Sequence, residues 1–479
     1  MKRNYILPAI LFFLFLGVTS CDDLLDVEPQ QSIDARDAIN TPEDLQGAVI
    51  GMYTILGEPE LYGTNLLLLP ELQGSEENLT WLGTFAGYRQ VSLKNMTAEN
   101  SEAQRTWVTA YEGINLANII LSKLDIMDEE PEERDRIEGE ALFVRGILHF
   151  ELVRLYAKAW NDGDPASNLG VPVRTTPVTT ESEAATPPTR NTVAEVYAQV
   201  LEDLERAKEL LPDRNNERAN TYAASGFLSR VYLQQQNYEG ARDEANRVIE
   251  EGGYELNPTV TAIFRNDNTA EAIFEIQQND QNNAGTANDG LATFYADLEG
   301  VGRADISVNT EFSDTNPNRY TTYDLYEEND TRLTALFYTG FNFGAITTSK
   351  WLSFGQNIPV IRLAEMYLTR AEANFRLGTA IGATPAEDIN RIRTRAGISP
   401  LGSVTLEQIL LERRLELAFE GFRIHDLKRT ETDLVGRDPE TGDIDYVIPW
   451  NDEMLVFPIP RREIDASKGS LVQNPPYGD

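Results

Sequence analysis

Carboxylates are the most abundant reactive groups in this chain of 479 residues, with 77 Asp and Glu against 41 Lys and Arg. Two acids facing each other across a sugar linkage can hydrolyse it, one as general acid and the other as base or nucleophile. Glu71 with Glu76 or Glu77 offers such a pair, but in so acidic a chain similar pairs can be drawn anywhere, so the spacing carries little information. The two histidines, His149 and His425, fall inside helical patterns, where packing explains them better than acid-base or metal chemistry. No P-loop, HExxH, GxSxG or GxGxxG string occurs. The run NDQNNAGTANDG at 279–290 could offer oxygen ligands to calcium, yet it matches no EF-hand spacing, and a solvated loop is the better reading. No cofactor and no metal site is expected. Glu412, Glu416 and Glu420 recur at helical spacing with Arg413, Arg414, Arg423 and Arg429 nearby. Such carboxylates more often fix a helix's register through ion pairs than catalyse.

The single cysteine, Cys21, has a more definite chemistry. Lys2 and Arg3 precede an apolar run from Tyr5 to Val18 that is too short to span a bilayer and carries Pro8. Thr19 and Ser20 then leave small residues before the thiol, and Val18-Thr19-Ser20-Cys21 resembles a bacterial lipobox. The expectation is a signal peptide over 1–20 and a lipidated Cys21, against a spare thiol in a leader cut elsewhere. One cysteine excludes a disulfide framework. The net charge of −36 repels phosphate backbones and disfavours nucleic acid as a partner.

These groups must be held by a scaffold that reads as mainly helical. Residues 22–42 are acid, Gln and Pro with few large apolar groups, which suits a tether. Apolar residues at three-and-four spacing then predict helices over 41–57, 101–127, 132–160 and 191–211. A helix hairpin turning at Gln236-Asn237 places Leu228, Tyr232, Ala241, Ala245 and Val248 where tetratricopeptide repeats pack. A second pair reads through 361–378 and 385–397, and a final helix through 405–429. The stretches 58–100 and 278–357 lack this period but contain Trp81, Phe85, Tyr88, Phe294, Tyr295 and Trp351, so they read as ordered loops. Residues 161–190 are dense in Pro and Thr.

Six strings in order carry a resemblance across the mature chain: CDDLLDVEPQ after the lipobox, EGEALFVRGILHFELVRLYAKAW, VIRLAEMYLTRAEANFRLG, INRIRTRAGI, ERRLELAFEGFRIHDLKR, and the ending VFPIPRREIDAS…LVQNPPY. Together they resemble the SusD/RagB family of outer-membrane nutrient-binding lipoproteins. The resemblance implies a mainly α fold: a tetratricopeptide-like helix-hairpin scaffold with a loop-rich ligand-binding subdomain. It divides the chain into a signal peptide (1–20), a tether (21–42), a SusD-like N-terminal helical region with binding loops (43–260) and a RagB/SusD C-terminal region (261–479). It also implies a non-enzymatic protein, anchored through Cys21 and facing outward, that captures oligosaccharides and delivers them to a SusC-like TonB-dependent barrel. In this reading the helical repeats grip the transporter.

Sugar rings expose C–H faces edged by hydroxyls, so a saccharide site needs aromatic planes bordered by Asn, Asp, Gln or Arg. By loop location, the candidate ligand residues are Asn78, Trp81, Tyr88 and Arg89 in SEENLTWLGTFAGYRQ, and Asp289, Phe294 and Tyr295 in NDGLATFYADLEG. Trp81 is equally suited to a core position, and Trp351, just before the long helix, is expected in the core. A peptide-binding groove and a surface glycoside hydrolase with an acid pair in the loops are the competing readings.

Overall fold

The computed structural model describes residues 39–75, 78–180, 183, 186–284, 288–309, 321–437 and 443–478. The predicted leader, Cys21, the tether as far as residue 38, Glu76 and Glu77 lie outside the described residues, as do residues 285–287 of the Asn/Asp run.

In chain order the helices of the first half are α1 (Pro42–Leu56), α2 (Asn65–Gln73), α3 (Ala86–Ser92), α4 (Ser101–Leu121), α5 (Pro131–Tyr156), α6 (Val193–Leu210), α7 (Thr221–Gln234) and α8 (Tyr238–Glu251). Those of the second half are α9 (Leu291–Tyr295), α10 (Thr331–Ala335), α11 (Leu363–Leu377), α12 (Pro385–Arg395), α13 (Leu406–Glu416), α14 (Arg423–Arg429) and α15 (Arg461–Ala466). The strands are β1 (Leu79–Trp81), β2 (Ala272–Ile276), β3 (Ile306–Val308), β4 (Phe337–Thr339), β5 (Ile346–Thr348), β6 (Ile358–Arg362), β7 (Leu434–Arg437) and β8 (Ile444–Ile448). They pair only in antiparallel twos: β1 with β3, β2 with β6, β4 with β5 and β7 with β8.

Local chemistry sets the helix starts. Thr41, Thr192, Thr384 and Thr405 each accept from a backbone N–H three residues on, while Asp44, Glu195, Glu387 and Gln408 return the bond. Each closes a capping box that satisfies two otherwise orphaned donors. Asn237 caps α8 directly after Gln236, whose φ of 58° turns the chain back, so the predicted hairpin is present. Leu228, Ala241, Ala245 and Val248 are fully buried in it. Tyr232 is half-buried and its hydroxyl donates to Glu205 at 3.0 Å. A Cβ at Gly240 would lie 2.8 Å from the Tyr232 ring, so the helices cross closely only because that residue is glycine. The helices stack in sequence: α4 and α6 against α5, α6 against α7, α7 and α11 against α8, and α12 and α13 against α11. This is the mainly α hairpin scaffold that the sequence pattern predicts. Among the described residues no helix is long and apolar enough to cross a membrane.

The predicted final helix over 405–429 is instead two helices. The chain leaves α13 at Glu416, passes through Phe419 at φ 65° and Gly421 at φ 85°, and restarts at Arg423. A buried acceptor from another element forces the break: Glu71 Oε1, on α2, accepts from the N–H groups of Gly421 and Phe422 at 2.9 and 3.0 Å and of Arg423 at 3.4 Å. Helical periodicity in 405–429 cannot reveal a cap supplied from about 350 residues away in sequence.

The carboxylates of α13 also find their partners at long range. Arg332 is fully buried and pairs with Asp330, Glu412 (2.7 Å) and Glu416 (3.1 Å). Arg362 pairs with Glu416 and Glu420, both at 2.7 Å, and with Glu271 at 3.2 Å. Arg395 joins Glu271 to Glu416, and Lys350 reaches Glu420. The arginines next to these acids in sequence serve elsewhere: Arg413 and Arg429 hold Asp426, Arg429 also holds Glu372, and Arg414 bonds Asn78. The structural reading of Glu412, Glu416 and Glu420 therefore stands, with different cations from those expected. Despite complete burial, Glu416 is held well below the usual carboxylate range by Arg395, Arg362 and Arg332.

Candidate functional site

The two loops that carry the sequence-predicted ligand residues meet. Strand β1 pairs with β3, Trp81 opposite Ile306, and α9 packs against β3. This brings Trp81 to ring-centroid distances of 4.8 Å from Tyr88 and 5.4 Å from Phe294, with Tyr88 and Phe294 5.1 Å apart. Phe85 closes the cluster edge-on, 6.3 Å from Tyr88 and 6.2 Å from Phe294. Arg303 lies over Phe85 at 5.2 Å and over Phe294 at 5.5 Å, tied down by Asp305 and by Asn288 at 3.0 Å. Such edge and cation contacts contribute about 0.5–1.5 kcal/mol each beyond the area they bury.

The cost of this packing is exposure. Trp81, Tyr88, Phe294 and Tyr295 are all buried, from 0 to 7 % exposed, and the rings of Trp81, Tyr88 and Phe294 pack on one another. The expectation that they form an open platform is corrected: they are the apolar support of the loops. Tyr88 donates to Asn65 Oδ1 at 2.7 Å, and Asn65 in turn donates to Thr106 at 3.0 Å, which joins α3 to α2 and α4. Tyr295 points to Phe419 at 6.1 Å. Asn78 is also buried, its Oδ1 accepting from Thr322 N (2.8 Å) and Arg414 (3.0 Å), a structural tie between the β1 loop and α13. Asp289 accepts through its carbonyl from Thr64 and lies 3.4 Å from Arg105. Only Arg89 is plainly exposed, its guanidinium donating to Gly83 O at 2.6 Å.

Above the aromatic cluster opens a cleft of about 1150 Å³ bounded by β1 and β3, the end of α3, the β4–β5 hairpin and the β7–β8 hairpin. Trp81 and Arg89 reach it from one wall, Asn309 and Ser307 from β3 and the residue after it, and Tyr446 from β8. Thr80 and Asn309 hydrogen-bond across the β1–β3 pair at 2.9–3.0 Å. The lining thus combines an indole edge with amide, hydroxyl and guanidinium groups, the mixture that a ring bearing hydroxyls requires.

The residues that sequence reasoning missed sit on the β4–β5 hairpin, whose end at 344–346 lines the cleft. Its tip carries Phe341 and Phe343, each 68 % exposed. Leaving a Phe in water forgoes about 1.5–3 kcal/mol, so a pair of them held on a fixed tip signals contact with something else. The fixing group is buried Asp297. Its carboxylate accepts from Asn342 N (2.9 Å), Asn342 Nδ2 (2.6 Å) and Phe343 N (3.2 Å), and its carbonyl accepts from Phe341 N (2.9 Å). Gly340 permits the approach, since a Cβ there would lie 2.0 Å from Asp297 Oδ2. The string YTGFNFGAI does contain a signal: glycines bracketing a short aromatic turn between two β-prone runs.

The alternative chemistries find other employment. Glu71 is spent on the α14 N-terminus. Both histidines are buried in helices: His149 Nε2 accepts from Arg174 N at 3.2 Å, leaving Nδ1 to donate to Arg145 O at 3.0 Å. Burial, with the Arg145 charge, pushes His149 down to about 3. Trp351 is fully buried, as expected, and donates to Phe419 O at 3.2 Å. Among the described residues no group of three or more His, Cys, Asp or Glu side chains is arranged to hold a metal ion.

Comparison with known proteins completes the picture. Residues 23–233 match a family model described as starch-binding associating with outer membrane, and residues 344–477 match the SusD family model. The chain is 25 % identical to the SusD-like protein P2 of Formosa agariphila over the full length of both, and 25 % identical to the starch-binding protein SusD of Bacteroides thetaiotaomicron over 90 % of this chain and 91 % of that one. A crystal structure of a SusD superfamily protein from Bacteroides thetaiotaomicron superposes with a TM-score of 0.80 at 27 % identity, covering 91 % of this chain and all of the other. Hairpin scaffold, loop-built cleft and two matched family models spanning most of its length agree: the chain belongs to the SusD family.

Proposed function

We propose that this protein captures oligosaccharides at the outer face of the outer membrane, held there by acyl chains on Cys21, and delivers them to a SusC-like TonB-dependent barrel gripped by its helical repeats. It acts by binding, without turnover. The observation that carries the reading is the Phe341–Phe343 tip, pinned in water beside a cleft of polar groups. Two apolar planes at the rim of such a cleft suit the C–H faces of sugar rings, while Arg89 and Asn309 suit their hydroxyls. The starch-binding relative and the outer-membrane description of the family support the same assignment.

Calorimetric titration of the soluble protein, residues 22–479, against maltoheptaose, a panel of other glycans and a set of peptides tests it. A saccharide is expected to bind, and the Phe341→Ala, Phe343→Ala double variant to lose about 1–3 kcal/mol, roughly 5- to 150-fold. Saccharide affinity unchanged by the double substitution would remove the hairpin from the site. Binding confined to peptides would overturn the ligand class.

A further inference from the structure

The Pro/Thr-dense segment holds a second cavity. Residues 172–178 run extended along α4 and are fastened to it by side chains instead of by a β ladder. Tyr111 donates to Pro172 O at 2.8 Å, and Asn118 donates to Arg174 O at 3.1 Å and Thr176 O at 3.4 Å. Asn115 both donates to Val178 O (2.9 Å) and accepts from Val178 N (2.7 Å), and His149 accepts from Arg174 N. On the far side Ser470 donates to Pro188 O at 2.7 Å. Between α4, this segment and α15 lies a preformed cavity of about 470 Å³ that shares no lining residue with the cleft.

Its chemistry differs from that of the cleft. The floor is Trp107 against Tyr111, ring centroids 5.0 Å apart, and the walls include Val108, Pro172, Pro188 and Leu471. The Asn115 and Tyr111 polar atoms are committed to the 172–178 backbone, so little remains to receive sugar hydroxyls. Two cationic donors do remain, half-buried Arg174 and exposed Lys468. Arg174 lines the cavity half-buried, and among the described residues its guanidinium has no hydrogen bond or ion pair. It lies near enough to Tyr111 for its charge to oppose the burial that pushes that hydroxyl up. Glu463 on the rim is paired with Arg462 at 3.3 Å. Arg174, Arg462 and Lys468 outnumber Glu112 and Glu463 around the cavity, although the whole chain carries a net charge of −36. An apolar chamber of this size whose half-buried cation is an unpaired guanidinium suits a compact apolar body bearing a carboxylate.

We infer that this cavity is a second ligand site, for a small arylalkanoate-type acid whose ring sits on Trp107 and Tyr111 and whose carboxylate pairs with Arg174. The probes are 3-phenylpropanoate and its neutral amide, titrated into the soluble protein by calorimetry with and without saturating maltoheptaose. The acid is expected to bind saturably, at least about tenfold tighter than the amide, and equally with or without the saccharide. Arg174→Gln, which breaks no side-chain hydrogen bond or ion pair among the described residues, is expected to abolish the preference for the acid while retaining weak amide binding. Val108→Trp, which fills the chamber, is expected to abolish both. No saturable binding of the acid to the wild-type protein overturns the proposal. So do equal affinities for acid and amide, or an acid preference that survives Arg174→Gln.

Discussion

Asp297→Ala separates the role of the hairpin tip from that of the fold beneath it. The carboxylate accepts three hydrogen bonds from the tip, two of them from backbone N–H groups, and bonds to a charged acceptor contribute about 1.5–3 kcal/mol each. Because Asn342 and Phe343 stand at the surface, water takes over much of that bonding when the tip opens, and the charge removed was itself buried. The net cost is therefore about 3 kcal/mol, confined to the hairpin, or on the order of a 100-fold rise in local opening. Hydrogen exchange should be read at the amides of β4 and β5, whose own ladder, Phe337 to Thr348 through Thr339 to Ile346, the substitution leaves intact. Faster exchange there, saccharide affinity reduced as in the double Phe variant, and a global melting temperature shifted by only a few degrees are expected together. Exchange in β4 and β5 equal to wild type would refute Asp297 as the anchor. A loosened hairpin that binds saccharide as well as before would refute the tip as a platform.

Arg362→Met should destabilise by about 3–5 kcal/mol, measured as a lower urea midpoint, because Glu416, Glu420 and Glu271 would keep their burial and lose a shared cation. His149 makes stability fall with acid: its folded value of about 3 lies below the ordinary 6.5, so the unfolded chain takes up the proton first as pH drops through 6.5, and the loss continues until about 3. Between about pH 7 and about pH 4.5 that is roughly 2–3 kcal/mol, and in His149→Gln the decline in urea midpoint over the same range should shrink by that amount. Cys21→Ser should abolish incorporation of labelled palmitate and leave the protein unanchored, since stable attachment needs more than one acyl chain.

Much of the scaffold was legible because its determinants are local. Thr41 with Asp44, Thr384 with Glu387 and the Gln236-Asn237 turn are read within a few residues, and the buried stripe of α8 follows from spacing alone. The candidate loops were legible, but not how their rings pack. The two loops were identified and they do meet, yet a single sequence cannot tell a ring that faces a ligand from one that faces Phe294. Trp81 and Tyr88 are buried because a second loop, more than 200 residues on, covers them. The tip phenylalanines are exposed because Asp297, distant in sequence, holds the turn outward. The same distance hid the break after α13 and the true partners of Glu412, Glu416 and Glu420.

The buried ion network also imposes an order of assembly. Its cations, Arg332, Lys350, Arg362 and Arg395, all precede the anions of α13 and Glu420 in the chain. Before α13 and Glu420 dock, Arg332 has Asp330 beside it, whereas Lys350 has no carboxylate and must stay hydrated. A chain ended before α13 would have only Glu271 to share between Arg362 and Arg395 and nothing for Lys350, so its cationic interior would stay open to water.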